Sequence, residues 1–200
     1  MTQYLSQHQS RAMVCVWLDV HPQHEEEFND WYELEHVSDI VSLEGFISGR
    51  RYFSEKAQLR YLVLYEAVDE HVEPGPHFQR VVAKPTPWTT RVRKLFGERR
   101  RRLNLSLILD SGVCTEPGAI VTIESKGSVT PSNGEQRMSQ ATGCLRYRGY
   151  HEADKKNTRF EIFDFSSHEQ ALVAALDWEL DSSLEIIVRK AIGTPVFHNK

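Results

Sequence analysis

The residues of this chain best equipped for chemistry lie between Phe28 and Tyr52, in the stretch FNDWYELEHVSDIVSLEGFISGRRY. His36 carries an imidazole with an intrinsic pKa of about 6.5, so it can take up or release a proton near neutral pH. Glu35 beside it, or the carboxylate of Asp19, could orient that ring. Arg50 could hold a carboxylate or an enolate, and the phenol of Tyr52 could donate a hydrogen bond to a developing oxyanion. One such donor is worth about 3 kcal/mol in a transition state. Each residue also has a plainer reading: His36 could satisfy the last carbonyls of a helix, and Arg50 could pair with a carboxylate where sheets meet, as its echo at Arg148 suggests.

These side chains need a helix and a strand to position them. Helix positions three or four apart share a face, so Asn29, Tyr32 and His36 form one stripe and Phe28, Trp31 and Leu34 the next. His21-Pro22 opens that helix, and Glu25, Glu26 and Glu27 sit in its early turns, where the macrodipole favours negative charge. The helix is predicted to run to about His36, with a short further turn through Val41. Gly45 then turns the chain into a strand at 46–54, where alternation sends Ser48, Arg50 and Tyr52 one way and Ile47, Gly49 and Arg51 the other.

The first strand, MVCVWLDV at 13–20, puts Val14, Val16, Leu18 and Val20 on a face expected to meet helices. Met13, Cys15, Trp17 and Asp19 are left to face a cavity or another sheet. On this reading Trp17, Tyr61 and Tyr65 share the cavity face with Arg50 and offer flat walls for an aromatic or polyketide-like ligand, or else form plain sheet-to-sheet core. Trp31 and Tyr32 stand beside His36 as further binding candidates. His77 and Trp88 lie in a Pro-rich region and could cap the cavity mouth or simply pack.

A strand at 60–67, a helical region interrupted by Pro74, Gly75, Pro76, Pro85 and Pro87, and a strand at 103–110 complete a β-α-β-β-α-β order, the ferredoxin-like unit. From Gly118 the pattern starts again, and Gly45 to Tyr52 lies over Gly143 to Tyr150 with Gly45/Gly143, Arg50/Arg148 and Tyr52/Tyr150 in register. RYLVLYE is matched with RFEIFDF in the strand that follows. The predicted fold is α+β: two tandem ferredoxin-like βαββαβ repeats, 12–112 and 117–197, packing sheet to sheet as a barrel-like unit. The second repeat has KGSVTPSNGEQRMSQ where the first has its His-bearing helix, with no His and no aromatic. A site therefore belongs to the first repeat, with the second as its structural partner.

At 40% hydrophobic and 26% charged residues, the 200-residue chain reads as a globular protein with ample core. It has no run of about 18 apolar residues and no secretory-type start, so a cytoplasmic protein with no membrane contact is expected. The three cysteines, Cys15, Cys114 and Cys144, match no zinc or redox spacing. Nine histidines include no HxxxH or HExxH arrangement, so no metal site is predicted. Phosphate-loop, dinucleotide and Gly-x-Ser-x-Gly signatures are absent, which disfavours nucleotide-dependent and serine-hydrolase chemistry. The net charge of −4 gives no pull toward nucleic acid, although RVRKLFGERRRR at 91–102 gathers seven basic residues into a run that reads as a solvated surface or an anion-binding rim.

NDWYELEH, LEGF, RRY, the YLVLYE strand and the TPWT of 86–89 resemble the EthD-like branch of the dimeric α/β-barrel superfamily, most sharply over 13–90. The resemblance implies two ferredoxin-like units closing a barrel, here from a tandem repeat. The superfamily includes cyclases, decarboxylases, lactone isomerases, cofactor-free monooxygenases and haem-degrading enzymes, beside proteins of no known activity, so it speaks to fold more than to chemistry. An acid/base His often ends its first helix, and His36 matches that position, with Val37-Ser38 here where a Pro often follows. The implied function is a small-molecule enzyme without a cofactor, in which His36, Arg50 and Tyr52 act on an aromatic or polyketide-like carboxylate or lactone in a decarboxylation, cyclisation, isomerisation or other lyase- or hydrolase-type step. The alternatives are a non-catalytic ligand-binding or accessory protein of the same fold and a haem-binding or haem-degrading protein. The expected partners are a small-molecule substrate and a second copy in a homodimer.

Overall fold

The computed structural model describes residues 10–72, 79, 83–96, 99–112, 114, 116–126, 133–153, 155–178 and 184–198. Its elements follow the predicted order twice over. The first series is β1 (Ala12–Leu18), a helical segment, β2 (Phe46–Phe53), β3 (Tyr61–Ala67), α3 (Pro87–Phe96) and β4 (Arg100–Asp110). The helical segment begins with a 3-10 turn at Pro22–His24, becomes α1 (Glu25–Trp31), passes through a π-helical stretch at Tyr32–His36 and ends as α2 (Val37–Val41). The second series is β5 (Ala119–Lys126), α4 (Gly134–Gln140), β6 (Cys144–Glu152), β7 (Lys155–Phe165), α5 (His168–Trp178) and β8 (Glu185–Phe197). The chain is thus the α+β tandem of ferredoxin-like repeats that the pattern predicts.

Two compact units result. One holds residues 1–51, 58–104 and 193–200, and the other 52–57 and 105–192. Strands β2, β4 and β8 each begin in one unit and end in the other.

In the first unit β1 pairs antiparallel with β3, Val14 opposite Tyr65, Trp17 opposite Leu62 and Leu18 opposite Tyr61. Residues directly opposite in such a pair share a face. Tyr61 and Tyr65 therefore join the aliphatic side of β1, and Trp17 lies on the other side, contrary to the expectation that all three line one surface. The strand YLVLY is apolar on both faces, so its composition could not fix its pairing phase with β1.

The aliphatic side is indeed the one that helices cover. A Cβ placed on Gly49 of β2 would lie 2.7 Å from Val37 Cγ1, 2.9 Å from Val41 Cγ2 and 3.1 Å from Tyr65 Cδ1, so the odd positions of β2 face α2. Glycine is needed there because α2 packs almost onto the strand backbone. Replacing Gly49 with alanine should cost about 1–3 kcal/mol through overpacking. Urea unfolding checks this: a midpoint equal to that of the wild type would mean α2 sits farther from β2 than described.

In the second unit β7 lies between β5 and β6, and β8 pairs with the far side of β5. Ala119, Val121, Ile123, Tyr147, Phe163, Phe165, Ala171 and Ala174 form its core. The repeats share their turn chemistry. Gly45 and Gly143 both have positive φ, 93° and 79°, and each accepts a backbone hydrogen bond, from Val68 and Ser166 respectively. Those two bonds keep the offset of Gly45 to Gly143, which makes Phe163 the counterpart of Tyr65. The sequence match of RYLVLYE to RFEIFDF is one residue out, because it aligns Arg60 with Arg159, an offset of 99, where the structure keeps 98 from Gly45 to Val68.

Candidate functional site

The π-helical stretch ends at His36 and decides what surrounds it. Widening of the helix over Tyr32–His36 brings the imidazole flat against Trp31, with ring centroids 4.1 Å apart and planes 16° from parallel, and edge-on to Tyr32 at 5.2 Å. Such single-turn widenings are frequent at functional sites. Neighbouring bonds hold this part of the helix. The Trp31 indole N–H donates to Thr89 Oγ1 at 3.0 Å, and Glu35 Oε1 accepts from the hydroxyls of Thr86 (2.6 Å) and Thr89 (2.9 Å). Glu35 thus ties the helix to the start of α3, where Thr86 caps and Pro87 takes the first helical position. It does not orient His36.

Burial lowers the His36 pKa from its ordinary value to about 3, and the guanidinium groups of Arg93, Arg102 and Arg51 push it the same way. The imidazole is therefore neutral across the physiological range, not poised near 6.5 as its type alone predicts. A depressed folded pKa means that the unfolded chain binds the proton first as pH falls. Stability due to this group is complete above about pH 6.5 and is lost on descent toward pH 3, at no more than about 1.4 kcal/mol per pH unit. His36→Gln should flatten the stability profile in that window. Denaturant midpoints at pH 7, 5 and 4 test it, and parallel profiles for the two proteins would rule it out.

Across from this helix, Arg51 points from β2 into the same layer. Its side chain lies 4.6 Å from the Tyr32 ring centre, 5.9 Å from that of Phe28 and 6.0 Å from that of Tyr61. It donates to the Asn29 backbone carbonyl at 3.4 Å and to Asn29 Oδ1 at 2.5 Å, and the Asn29 amide donates to the Tyr61 hydroxyl at 3.4 Å. The residue is only 5% exposed, and among the described residues no carboxylate pairs with it. Burial holds its pKa below the ordinary arginine value. Tyr65 stands on the same side of the sheet, 2% exposed, and its hydroxyl has no hydrogen-bond partner among the described residues. Burial holds both Tyr32 and Tyr65 well above the usual phenol range, so both are neutral donors.

Buried cations are normally paired, and buried hydroxyls normally bonded. A guanidinium bonded to Asn29 but not to a carboxylate, on the same side of the sheet as an unbonded phenol, has the chemistry to hold an anionic oxygen. The surrounding charge agrees in sign. Arg93 of α3 and Arg102 of β4 act on Tyr32 and His36 in the same sense as Arg51, lowering both pKa values.

The residues predicted from sequence are distributed on both sides of the sheet. His36, Trp31, Tyr32, Tyr61 and Tyr65 come together on the helix side. Arg50 and Tyr52 alternate to the other face of β2, so the sheet separates them from His36 and the predicted His36–Arg50–Tyr52 set is not assembled. Arg51 takes the place assigned to Arg50. Trp17, on the other face, stacks under Arg101 at 4.8 Å. Asp19 is an ion-pair anchor, accepting from Arg60 at 2.9 Å and Arg99 at 2.6 Å, so it is not a ligand-orienting group for His36. Trp88 is half-buried on α3, its indole N–H without a partner among the described residues. His77 lies outside the described residues. Among the described residues no group of His, Cys, Asp and Glu is arranged to hold a metal ion.

Arg51, Asn29 and Arg93 were not named as site residues from sequence, although Asn29 was read on the stripe of Tyr32 and His36. The signal for Arg51 was present in the LEGF-turn phase: Gly49 two residues earlier marks the face where a helix approaches closely. The second repeat lacks this arrangement, for Gly149 stands at the position of Arg51 and Tyr147 at that of Gly49. There the Tyr147 hydroxyl donates to Glu161 at 2.7 Å and accepts from Arg159 at 3.2 Å, with Arg137 3.7 Å from the same carboxylate. That network carries its own carboxylate, Glu161, between Arg137 and Arg159.

Compared with protein-family models and with curated protein sequences, the chain matches none. Solved structures do match. A candidate monooxygenase from Lactobacillus acidophilus superposes with a TM-score of 0.59 at 11% identity, covering 96% of this chain and 98% of that one. An anthrone oxidase-like protein gives 0.59 at 7% identity over 97% and 95%, and a candidate monooxygenase from Fusobacterium nucleatum 0.55 at 8% over 91% and 92%. The likeness is one of fold. It extends over nearly the whole of each chain. No helix among the described residues is long and apolar enough to cross a membrane.

Proposed function

We propose that this protein is a small-molecule enzyme of the EthD-like kind whose site lies between the first helix and the helix-facing side of β2 and β3, and that it stabilises an enolate- or phenolate-like oxyanion. The observation that carries this reading is the buried Arg51 guanidinium without a carboxylate partner, beside the unbonded Tyr65 hydroxyl. Donors fixed in advance around the place where charge develops are the largest single contribution to many enzymatic rates.

In the proposed step His36 takes a proton from an acidic C–H or O–H of an aromatic ketone, carboxylate or lactone. The electron pair left behind settles on the substrate oxygen, which Arg51 and Tyr65 hold. An imidazole with a pKa of about 3 is a weak base while the site is empty. A negative oxygen among Arg51, Arg93 and Arg102 supplies the missing counter-charge, which raises the His36 pKa, so imidazolium and oxyanion form as a pair. Decarboxylation, cyclisation, isomerisation and oxygenation of enolisable substrates all pass through such an ion. The fold neighbours include an anthrone oxidase-like protein, and anthrone is an enolisable aromatic ketone of this sort.

The low His36 pKa also favours a second reading, a ligand-binding protein that holds an anion and turns nothing over. Hydrogen–deuterium exchange of anthrone in D2O, followed by NMR, separates the two. Catalysed exchange that falls about 100-fold in His36→Gln is expected for the enzyme. Saturable binding with the uncatalysed exchange rate would leave the binding protein.

A further inference from the structure

We infer that the end of the chain from Gly193 to His198 is a clasp over the first helix, and that its release admits the ligand to Arg51; this rests on the reading of Arg51 as the anion receptor. Arg51 and Tyr65 are 5% and 2% exposed, so an anion reaches them only when an element that covers them moves. The helical segment covers Arg51 through Asn29 and Tyr32, and it is fastened along two sides that differ in kind. On the α3 side the bond from Trp31 to Thr89 is buried, and Glu35 accepts from Thr86 and Thr89 beside it. On the side of β8, Glu33 of the π-helical stretch accepts from the Thr194 backbone N–H at 3.0 Å, at the surface. Gly193 has a φ of 64°, and a Cβ there would collide with the Glu33 carboxylate. Just beyond β8 the His198 backbone N–H donates to the Ile47 carbonyl at 2.9 Å, and its ring Nδ1 lies 2.6 Å from the Val41 carbonyl. A carbonyl only accepts, so Nδ1 carries the proton and satisfies one of the last carbonyls of α2. All of these residues belong to the first unit.

Glu33 and Glu35 are two positions apart and so lie on nearly opposite sides of the helix, which is therefore gripped from both. A hydrogen bond at the surface is replaced by water at little cost, whereas breaking the buried one strands the Trp31 indole donor in the interior. The seam along Gly193 to His198 is the first to open, with the α3 side as its hinge. The stretch between the two fastenings is the π-helical one, where the Val37 N–H reaches back to the Tyr32 carbonyl and the regular α-helical ladder is interrupted. Opening there lifts Tyr32 from the Arg51 guanidinium and uncovers the receptor.

Native-state hydrogen exchange and stopped-flow binding of benzoate test this on the wild-type protein, Glu33→Ala, Glu33→Gln and His198→Phe. Glu33 is exposed, so its variants should fold normally. In Glu33→Ala and His198→Phe the amides of residues 33–41 should exchange about three- to tenfold faster, the weight of one hydrogen bond, while those of α5 in the second unit stay as they are. Benzoate should associate and dissociate faster by the same factor with Kd unchanged, because a gate alters rates and a contact alters affinity. Glu33→Gln keeps an acceptor oxygen for Thr194 and should restore wild-type exchange and rates. Benzoate binding with rates indifferent to Glu33→Ala and His198→Phe, or a weaker Kd carried by dissociation alone, would overturn the clasp and leave the Arg51 receptor standing. No benzoate binding by the wild-type protein would overturn the receptor, and the clasp's part in entry with it.

Discussion

Replacing Arg51 with methionine will remove anion binding and slow turnover by about 100- to 1,000-fold, the range seen when one preorganised oxyanion donor is lost. The protein will stay folded. Arg51 is buried without a carboxylate partner, so the substitution leaves no opposite charge stranded in the interior. What is lost is a pair of hydrogen bonds to Asn29 and the contact with the Tyr32 ring, offset by the end of a desolvation cost. The net change in unfolding free energy should stay within about 2 kcal/mol, and a small gain is allowed. Activity lost with stability kept distinguishes a receptor from a structural arginine. Circular dichroism melts alongside the exchange assay give both numbers. A variant that cannot fold would show Arg51 to be a core fastener instead.

The opposite balance is expected in the second unit. Asp164 is fully buried and accepts from Arg148 at 2.7 and 2.9 Å, and Arg148 is itself only 4% exposed. Asp164→Asn keeps the shape and removes the charge, leaving the guanidinium of Arg148 in the interior with a weaker partner. Breaking one side of a buried ion pair costs about 3–5 kcal/mol. That is a large part of the stability of an ordinary domain. Asp164 also helps keep the Cys144 thiol protonated, although burial is the greater cause of its being pushed up to about 12. Urea unfolding should show the loss, and labelling with a thiol reagent in native buffer should remain slow unless the unit opens. A loss below about 1 kcal/mol would mean water or another group already compensates Arg148.

Both outcomes follow from elements that the sequence made only partly legible. The tandem repeat could be read because Gly45 and Gly143 demand the same positive-φ turn and because apolar alternation is strong on either side of them. The first helix could be read from Pro22, the glutamates after it and the aromatic spacing. The further turn through Val41 could be read too, but the π-helical stretch that joins it to α1 could not, since a widened turn has no residue signature, and that stretch is what sets His36 against Trp31. The face assignments failed for a different reason. β1 and β3 are apolar on both sides, so periodicity could not say which side of β3 pairs with which side of β1, and β2 carries arginines in succession at Arg50 and Arg51. A single step in phase exchanges those two and carries Tyr61 and Tyr65 with it. Gly49 held the information needed to choose, because a strand glycine marks the close approach of another backbone or side chain. The low pKa of His36 lay beyond sequence altogether. It comes from burial and from arginines on α3, β4 and β2 that only the fold brings together.

The location of the anion decides between Arg51 and Arg50. A crystal structure of the protein soaked with an aromatic carboxylate tests it most directly. The carboxylate should lie within about 3 Å of an Arg51 guanidinium nitrogen and of the Tyr65 hydroxyl, on the helix side of β2, in hydrogen-bonding geometry. A carboxylate held by Arg50 on the opposite face, with Arg51 and Tyr65 untouched, would contradict it.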